Sequence, residues 1–258
     1  MRTIALTITF FLFVQMTFSQ SNFEQAIEWY GRRTEGAIGY KAAPEPISKA
    51  IEHFKKAMTK PENELKAGTY LMRSYIYKGR FVLEDEDDKR GEFEKAKIVG
   101  EQLVSKYPND KELRFENLTA VGLWGERLGI FKAAREGIAD RVKDEIEKFV
   151  SLDTEFRNAI GQRALAVLHL MAPKIPFIMS WPDKDFALEM THSVVTRYPN
   201  DIGNNFFYAM ALAKHDRDAE AIPYLEKALS IKPHPEYLLE DRHFHMRAKK
   251  LLSKLKDS

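Results

Sequence analysis

The sequence predicts an all-α fold, a right-handed solenoid of about five helical hairpins followed by a C-terminal capping helix. Three observations support this prediction. An apolar pattern with a proline at its end recurs along the chain, and two of its copies are 34 residues apart, the length of one helix–turn–helix repeat. The composition, with 44% hydrophobic and 30% charged residues, is typical of a folded globular chain.

The repeats are visible as aligned segments. Three segments align without gaps, and a fourth copy is one residue shorter before its proline: AKIVGEQLVSKYP (96–108), ALEMTHSVVTRYP (187–199), AIPYLEKALSIKP (221–233) and AIEHFKKAMTKP (50–61). The leading alanine allows a neighbouring helix to approach closely, and apolar residues four and seven positions later continue the same buried face. The proline ends the helix.

The spacing between copies sets the order of the helices. Ala50 and Ala96 are 46 residues apart, and we assign the excess to a loop containing the acidic run 84–88. Ala96 and Ala187 are 91 residues apart, which leaves room for one further helix pair. The predicted pairs are 22–35 with 45–59, 63–79 with 92–106, 111–127 with 131–150, 154–171 with 184–198 and 203–214 with 218–231, followed by a closing helix at 236–256.

Helix starts are also predicted from side chains that can cap them. Asn109, with Glu112 three residues later, resembles a capping pair, and Asp183 follows Pro182 at the expected start of a helix. The final helix carries several lysines, as expected of a terminal helix whose outer face contacts water.

The first nineteen residues differ from the rest of the chain. Arg2 precedes an apolar run, Ile4 to Val14, and Thr17 and Ser19 place small residues where a signal peptidase recognises its substrate. Eleven residues span about 16 Å as a helix, too short for a ~30 Å hydrocarbon core. We therefore expect residues 1–19 to be a signal peptide, residues 20–258 to form a single domain without a stable membrane span, and the protein to be periplasmic or secreted.

The composition excludes several classes of function. The 40 Lys and Arg residues nearly balance the 38 Asp and Glu residues, so no basic surface indicates a nucleic-acid partner. The chain has no cysteine, which excludes thiol catalysis, disulfides, Cys-ligated zinc and a lipid-modified N-terminal cysteine. No phosphate-binding glycine loop or hydrolase motif occurs. We therefore expect neither an enzyme nor a bound cofactor.

At the second-helix half of their motif, the four copies resemble the tetratricopeptide (TPR) family. The first-helix half departs from the family, because Asn205, Tyr208, Ala209 and Leu212 occupy positions where the family has Trp, Leu, Gly and Tyr. The resemblance therefore depends mainly on the packing alanines and the terminal prolines.

The middle of the chain also resembles a narrower family, the TRAP-transporter T components. The similar positions are Leu123 to Gly125, Gly161 to Leu168, and Asp185 to Ala187. Members are periplasmic TPR partners of a solute uptake system, so the resemblance implies a ligand-accepting tunnel, a solute-binding protein as partner, and self-association. Many members are lipoproteins, and this chain lacks the cysteine for that modification. The alternative is an envelope scaffold that binds proteins and no small ligand.

A candidate ligand site follows from the hairpin assignment. Ile160, Arg163 and Val167 fall on the inner face of one helix, and Phe206 and Met210 on that of the next hairpin. We expect an apolar cavity between the third, fourth and fifth hairpins that binds a small apolar or amphipathic ligand. Arg163 would hold an anionic head group, or alternatively form a structural ion pair.

Three further aromatic residues complete the predicted site. Trp124 belongs to the third hairpin, and Phe177 and Trp181 lie in an unusually apolar loop, 172–182, that contains three prolines. The loop either folds back to seal the solenoid or forms the lip of the cavity. His243 and His245 point in different directions on a helix, so we expect no metal site there.

Overall fold

The structure is a computed structural model that describes residues 20–129, 136–175 and 179–257. These residues form an all-α solenoid, which confirms the predicted fold class; the segment predicted to be a signal peptide lies outside them. The eleven α-helices of the described residues are α1 (Asn22–Gly31), α2 (Pro44–Met58), α3 (Glu64–Phe81), α4 (Glu86–Lys106), α5 (Lys111–Glu126), α6 (Ile138–Leu152), α7 (Phe156–Met171), α8 (Lys184–Arg197), α9 (Ile202–Ala213), α10 (Asp218–Ser230) and α11 (Leu238–Lys256).

Consecutive helices pack in pairs, and each pair packs on the next. The alanine that opens each repeat copy lies at these contacts: Ala50, Ala96, Ala187 and Ala221 are all fully buried. The absence of a larger side chain at these positions lets two helix backbones approach closely. The role assigned to the alanines from sequence is therefore confirmed.

The same four-residue segment, Tyr-Pro-Asn-Asp, follows two of the repeat helices, at 107–110 and 198–201, and links one hairpin to the next. Its final residue caps the following helix: Asp110 accepts a hydrogen bond from the Leu113 N–H and Asp201 accepts one from the Asn204 N–H, each at 2.8 Å. The predicted cap at Asn109 is therefore wrong by one residue. The predicted cap at Asp183 is confirmed, because its side chain accepts from two backbone N–H groups of α8.

The acidic run 84–88 belongs largely to a helix rather than to a loop. Asp85 caps α4, and three acidic residues from Glu86 to Asp88 form its first turn, where the helix dipole favours negative charge. The long spacing between the first two repeats is taken up by α3 and α4, which have 18 and 21 residues. The prediction of a loop there was therefore wrong, whereas residues 84–88 are exposed, as predicted for a solvated segment.

The last helix contacts both ends of the chain. Ala248 of α11 is buried in the core formed by α9 and α10, whereas Leu239 is buried in the core of the first two hairpins. The rings of His243 and Tyr40 lie 5.7 Å apart. Lysines 249, 250 and 254 remain exposed, as predicted for an outer face. The capping helix therefore also closes the solenoid against its first hairpin.

Among the described helices, none combines the length and hydropathy needed to cross a bilayer.

Candidate functional site

A central cavity of about 720 Å³ lies on the inner side of the solenoid. Its wall comes from the first helix of each of the five hairpins (α1, α3, α5, α7 and α9) and from α11. First helices line it because in each hairpin the second helix packs outside the first. The volume is within the range of small-molecule binding sites. The cavity extends to the N-terminal hairpins, whereas the sequence placed it between the last three.

One wall of the cavity is a partly buried ion-pair network. Arg73 of α3 donates to the Glu116 carboxylate at 2.6 Å and also pairs with Glu112, and Arg157 of α7 pairs with Glu112 as well. Burial alone would lower the pKa of Arg73, but the charge and hydrogen bond of Glu116 outweigh burial and raise it. These four groups satisfy one another, so this wall is structural.

Arg163 lies in a second ion pair on the cavity wall. Its Nη1 donates to Asp201 Oδ1 at 2.8 Å and to Asn204 Oδ1 at 2.7 Å. Gly203 permits this approach, since a Cβ at that position would lie 2.7 Å from Nη1. The contacts are those of the structural alternative considered from sequence; a role for Arg163 in ligand binding stays a prediction.

The start of α7 has an unusual backbone. Arg157, Asn158 and Ala159 have φ values of 45°, 58° and 57°, a left-handed conformation that residues other than glycine rarely adopt. This turn directs Arg157 towards Glu112, and the Asn158 amide donates to Asp201 Oδ2 at 3.1 Å. The strained turn is thus held by the ion pairs of the cavity wall.

The arginines near the first hairpin have different surroundings. Arg33 donates to the backbone carbonyls of Tyr30, at 3.0 Å, and of Glu236, but its Nε is buried without a partner. Arg80 makes no hydrogen bond or ion pair within the described residues and lies 4.9 Å above the Phe81 ring. Burial lowers the pKa of Arg80 and raises that of the nearby Glu240 carboxyl.

Aromatic rings surround these two arginines. The Arg33 guanidinium lies 4.2 Å from the ring centroid of Tyr30, and the Tyr77 hydroxyl donates to the Arg33 carbonyl at 2.9 Å. Burial raises the pKa of both tyrosines, so both hydroxyls stay protonated. The cavity therefore combines apolar surface with arginine donors.

The structure brings only part of the predicted site together. Ile160 and Arg163 line the cavity. Trp124 instead packs in the core between α5 and α6, beneath the Lys97 ammonium at 4.8 Å. Val167 is half-buried outside the cavity lining, and Phe177 lies outside the described residues.

The remaining predicted residues lie in other packing clusters. Phe206 is buried against Phe244, 5.8 Å between ring centroids, and Met210 packs on the C-terminal core. Trp181 donates from its indole N–H to Asp140 at 2.6 Å and contacts the His169 ring. Met179 of the same loop is buried. The described part of the loop therefore packs on its neighbouring helices rather than on the cavity.

Sequence reasoning missed the contribution of α3. This helix carries Tyr70, Arg73, Tyr77 and Arg80, spaced three, four and three residues apart, and all four line the cavity. Such spacing places them on one helix face. A stripe of alternating tyrosine and arginine on a first helix was the signal that could have located the site.

No protein-family model matches the sequence, and no curated protein matches it significantly. Among solved structures, the fold is similar to that of TTC0263, a thermophilic TPR protein of Thermus thermophilus, with a TM-score of 0.62 and 13% identity over 90% of this chain and 97% of that one. This likeness shows a TPR-type fold. The MamA protein (TM-score 0.44, 17% identity, 80% and 91% coverage) and yeast Tom70 (0.31, 13%, 99% and 71%) also align, at levels that carry no further argument.

Proposed function

We propose that this TPR-type solenoid is a non-enzymatic binding protein that holds a small amphipathic ligand in its central cavity and contacts a protein partner through its outer surface. The observation that carries the proposal is the central chamber of about 720 Å³ to which all five first helices contribute. A solenoid that served only as a protein scaffold would not need its two ends joined around such a chamber.

The cavity lining has arginine as its most frequent charged residue, which favours the binding of an anionic ligand. Five of its charged side chains are arginines, which stay protonated at all physiological pH values and so cannot exchange protons with a substrate. Three of the five are already paired with carboxylates. Their functions are to shape the wall and to orient a bound molecule.

We further propose that the protein acts outside the cytoplasm, as a component of periplasmic solute uptake with a solute-binding protein as partner. The support is the signal-like segment 1–19 and the resemblance of residues 114–198 to TRAP T components. Self-association belongs to the same proposal. Sedimentation of the purified protein, alone and with candidate solute-binding proteins, tests both interactions directly.

Native mass spectrometry tests the ligand. Ile27 lines the cavity and is 36% exposed, so Ile27→Trp should fill part of the chamber; Ile38→Trp is the matched control, because Ile38 is 83% exposed and outside the lining. We expect a bound molecule in the wild-type protein and in the control, and its loss from Ile27→Trp.

The scaffold alternative predicts a different result. Protein purified from its native compartment would then carry no molecule, and Ile27→Trp would leave partner binding unchanged. That combination would overturn the proposed ligand function while leaving the fold assignment intact.

A further inference from the structure

Building on the proposed function, we infer that the ligand carries a single carboxylate and that this group binds between Arg33 and Arg80, at the N-terminal end of the cavity. Both side chains line the cavity, and neither is paired with an acidic side chain in the described structure.

Arg80 is the first support for this site. The other arginines of α3 and α7 that line the cavity are matched, since Arg73, Arg157 and Arg163 each contact a carboxylate. Arg80 lines the same chamber without one in the described part of the chain. The residue is half-buried, so an anion or water that enters the cavity can satisfy its donors. Its five N–H groups are therefore available to a ligand.

Arg33 supplies the second group of donors. The residue is 7% exposed, and its guanidinium is held by stacking on Tyr30 and by two backbone carbonyls. These acceptors leave its Nε without a partner. That nitrogen is itself covered, but Nη1 and Nη2 each donate to one carbonyl and keep a second N–H. The side chain is therefore fixed in position while donors remain available, which reduces the entropy lost when an anion binds.

Neither arginine forms an ion pair with the nearby acidic group, Glu240. Glu240 is the acidic group whose charge interacts most with Arg80, and it also interacts with Arg33, yet its carboxylate forms no ion pair within 4 Å with either. On the neighbouring turn of α11, Arg247 adds to the positive field, because Arg80 contributes to lowering the pKa of Arg247. His243, whose pKa burial and Arg80 also lower, stays uncharged near neutral pH. Neither Arg33 nor Arg80 is neutralised by an ion pair among the described residues, so this end of the cavity offers their positive charges to a carboxylate.

The surrounding rings determine the rest of the ligand. The Phe81 ring centroid lies 4.9 Å from the Arg80 guanidinium and that of Tyr77 lies 5.7 Å from the Arg33 guanidinium, and both rings line the cavity. These groups provide apolar surface next to the two arginines, as required by a molecule with a carboxylate at one end and a hydrocarbon body at the other.

Titration calorimetry with decanoate and its neutral counterpart decanamide tests the inference. We expect wild-type protein to bind decanoate about tenfold or more tightly than decanamide, since charge-assisted hydrogen bonds exceed neutral ones by roughly that factor. Arg80→Met should remove this preference and leave decanamide binding unchanged. Arg90→Met, which removes a partly exposed arginine outside the cavity, is the control and should retain it.

Each contrary result has a distinct meaning. Equal binding of decanoate and decanamide by wild type overturns the carboxylate site and leaves the proposed cavity function in place; this comparison needs no variant and so does not depend on how Arg80→Met folds. Competition by inorganic phosphate at millimolar concentration overturns the assignment to a carboxylate. If neither decanoate nor decanamide binds, the inference is overturned. The proposed function is then overturned as well only if native mass spectrometry also finds no bound molecule.

Discussion

Arg242 Nη1, in the last helix, donates a hydrogen bond at 3.0 Å to the carbonyl oxygen of Gly39, in the loop of the first hairpin. The two residues are 203 positions apart. Gly39 has a φ of +61°, which glycine adopts without strain, and this turn presents its carbonyl to α11. An open solenoid joins each repeat only to its neighbours. In this chain the last helix also contacts the first hairpin, so breaking that contact should lower the stability of both ends together.

Leu239→Ala should reveal this coupling. Leu239 is fully buried among residues of the first two hairpins, so we expect a loss of about 2–5 kcal/mol in the free energy of unfolding. Leu152→Ala, at a position 38% exposed, is the matched control and should cost less than about 1 kcal/mol. Denaturant unfolding measures both. Equal small effects would show that α11 does not pack on the first hairpin in solution.

The sequence predicted the repeats well because their determinants are local. Ala96 and Ala187 begin the same pattern, and each pattern ends in a proline, so one segment is enough to define the helix and its buried face. The cap at Asp183 is equally local. The first residue of a helix was harder to predict where two adjacent residues can both act as its cap. Asn109 and Asp110 are such a pair, and Asp110 is the residue that caps α5.

The cavity was harder to predict because it depends on contacts far apart in the chain. Arg33 and Glu236 meet only when α11 reaches the first hairpin, and no repeat spacing encodes that closure. Without knowledge of this closure, the inner residues of the last three hairpins were the better candidates for the cavity lining. Phe206 is apolar, as a cavity residue was expected to be, but it lies in the core because the Phe244 ring of α11 packs against it.

Two glycine substitutions test how closely the helices pack. A Cβ on Gly100 of α4 would lie 2.6 Å from Met72 Cε and against Asn117 Oδ1, whereas a Cβ on Gly122 of α5 would meet nothing within 4 Å. We expect Gly100→Ala to lower the free energy of unfolding by about 1–3 kcal/mol through overpacking. Gly122→Ala should raise it by about 0.5–1 kcal/mol. A stabilising Gly100→Ala would mean that α3, α4 and α5 are packed less tightly than described.

Arg163→Met distinguishes the two roles considered for this arginine. Its side chain bonds Asp201 and Asn204, so we expect a loss of stability of about 1.5–3 kcal/mol, the usual cost of removing a hydrogen bond to a charged group. Arg32→Met, which breaks an exposed pair with Glu35, should cost less than about 1 kcal/mol. Thermal and denaturant unfolding provide the comparison. An unchanged stability together with weaker decanoate binding would instead identify Arg163 as the residue that holds the head group.

The pH dependence of stability should report the surroundings of His243. Burial, followed by the charges of Arg80 and Arg247, lowers the pKa of His243 from its usual 6.5 to about 4. Between these values the unfolded chain binds a proton that the folded protein does not, so the stability that depends on neutral His243 is present above about pH 6.5 and is lost as the pH falls towards about 4. His243→Leu removes this titration and retains an apolar side chain beside Tyr40.

We therefore expect the free energy of unfolding of wild type, relative to His243→Leu, to decrease steadily from about pH 7 to about pH 4.5. Taking the difference cancels groups that titrate alike in both proteins, including Glu240, whose raised pKa acts in the opposite direction: its folded form retains a proton that the unfolded chain releases, which favours folding at low pH. Denaturant unfolding at closely spaced pH values measures the difference. A constant difference across this range would mean that water reaches His243 and that α11 is not closed against α3 and the first hairpin.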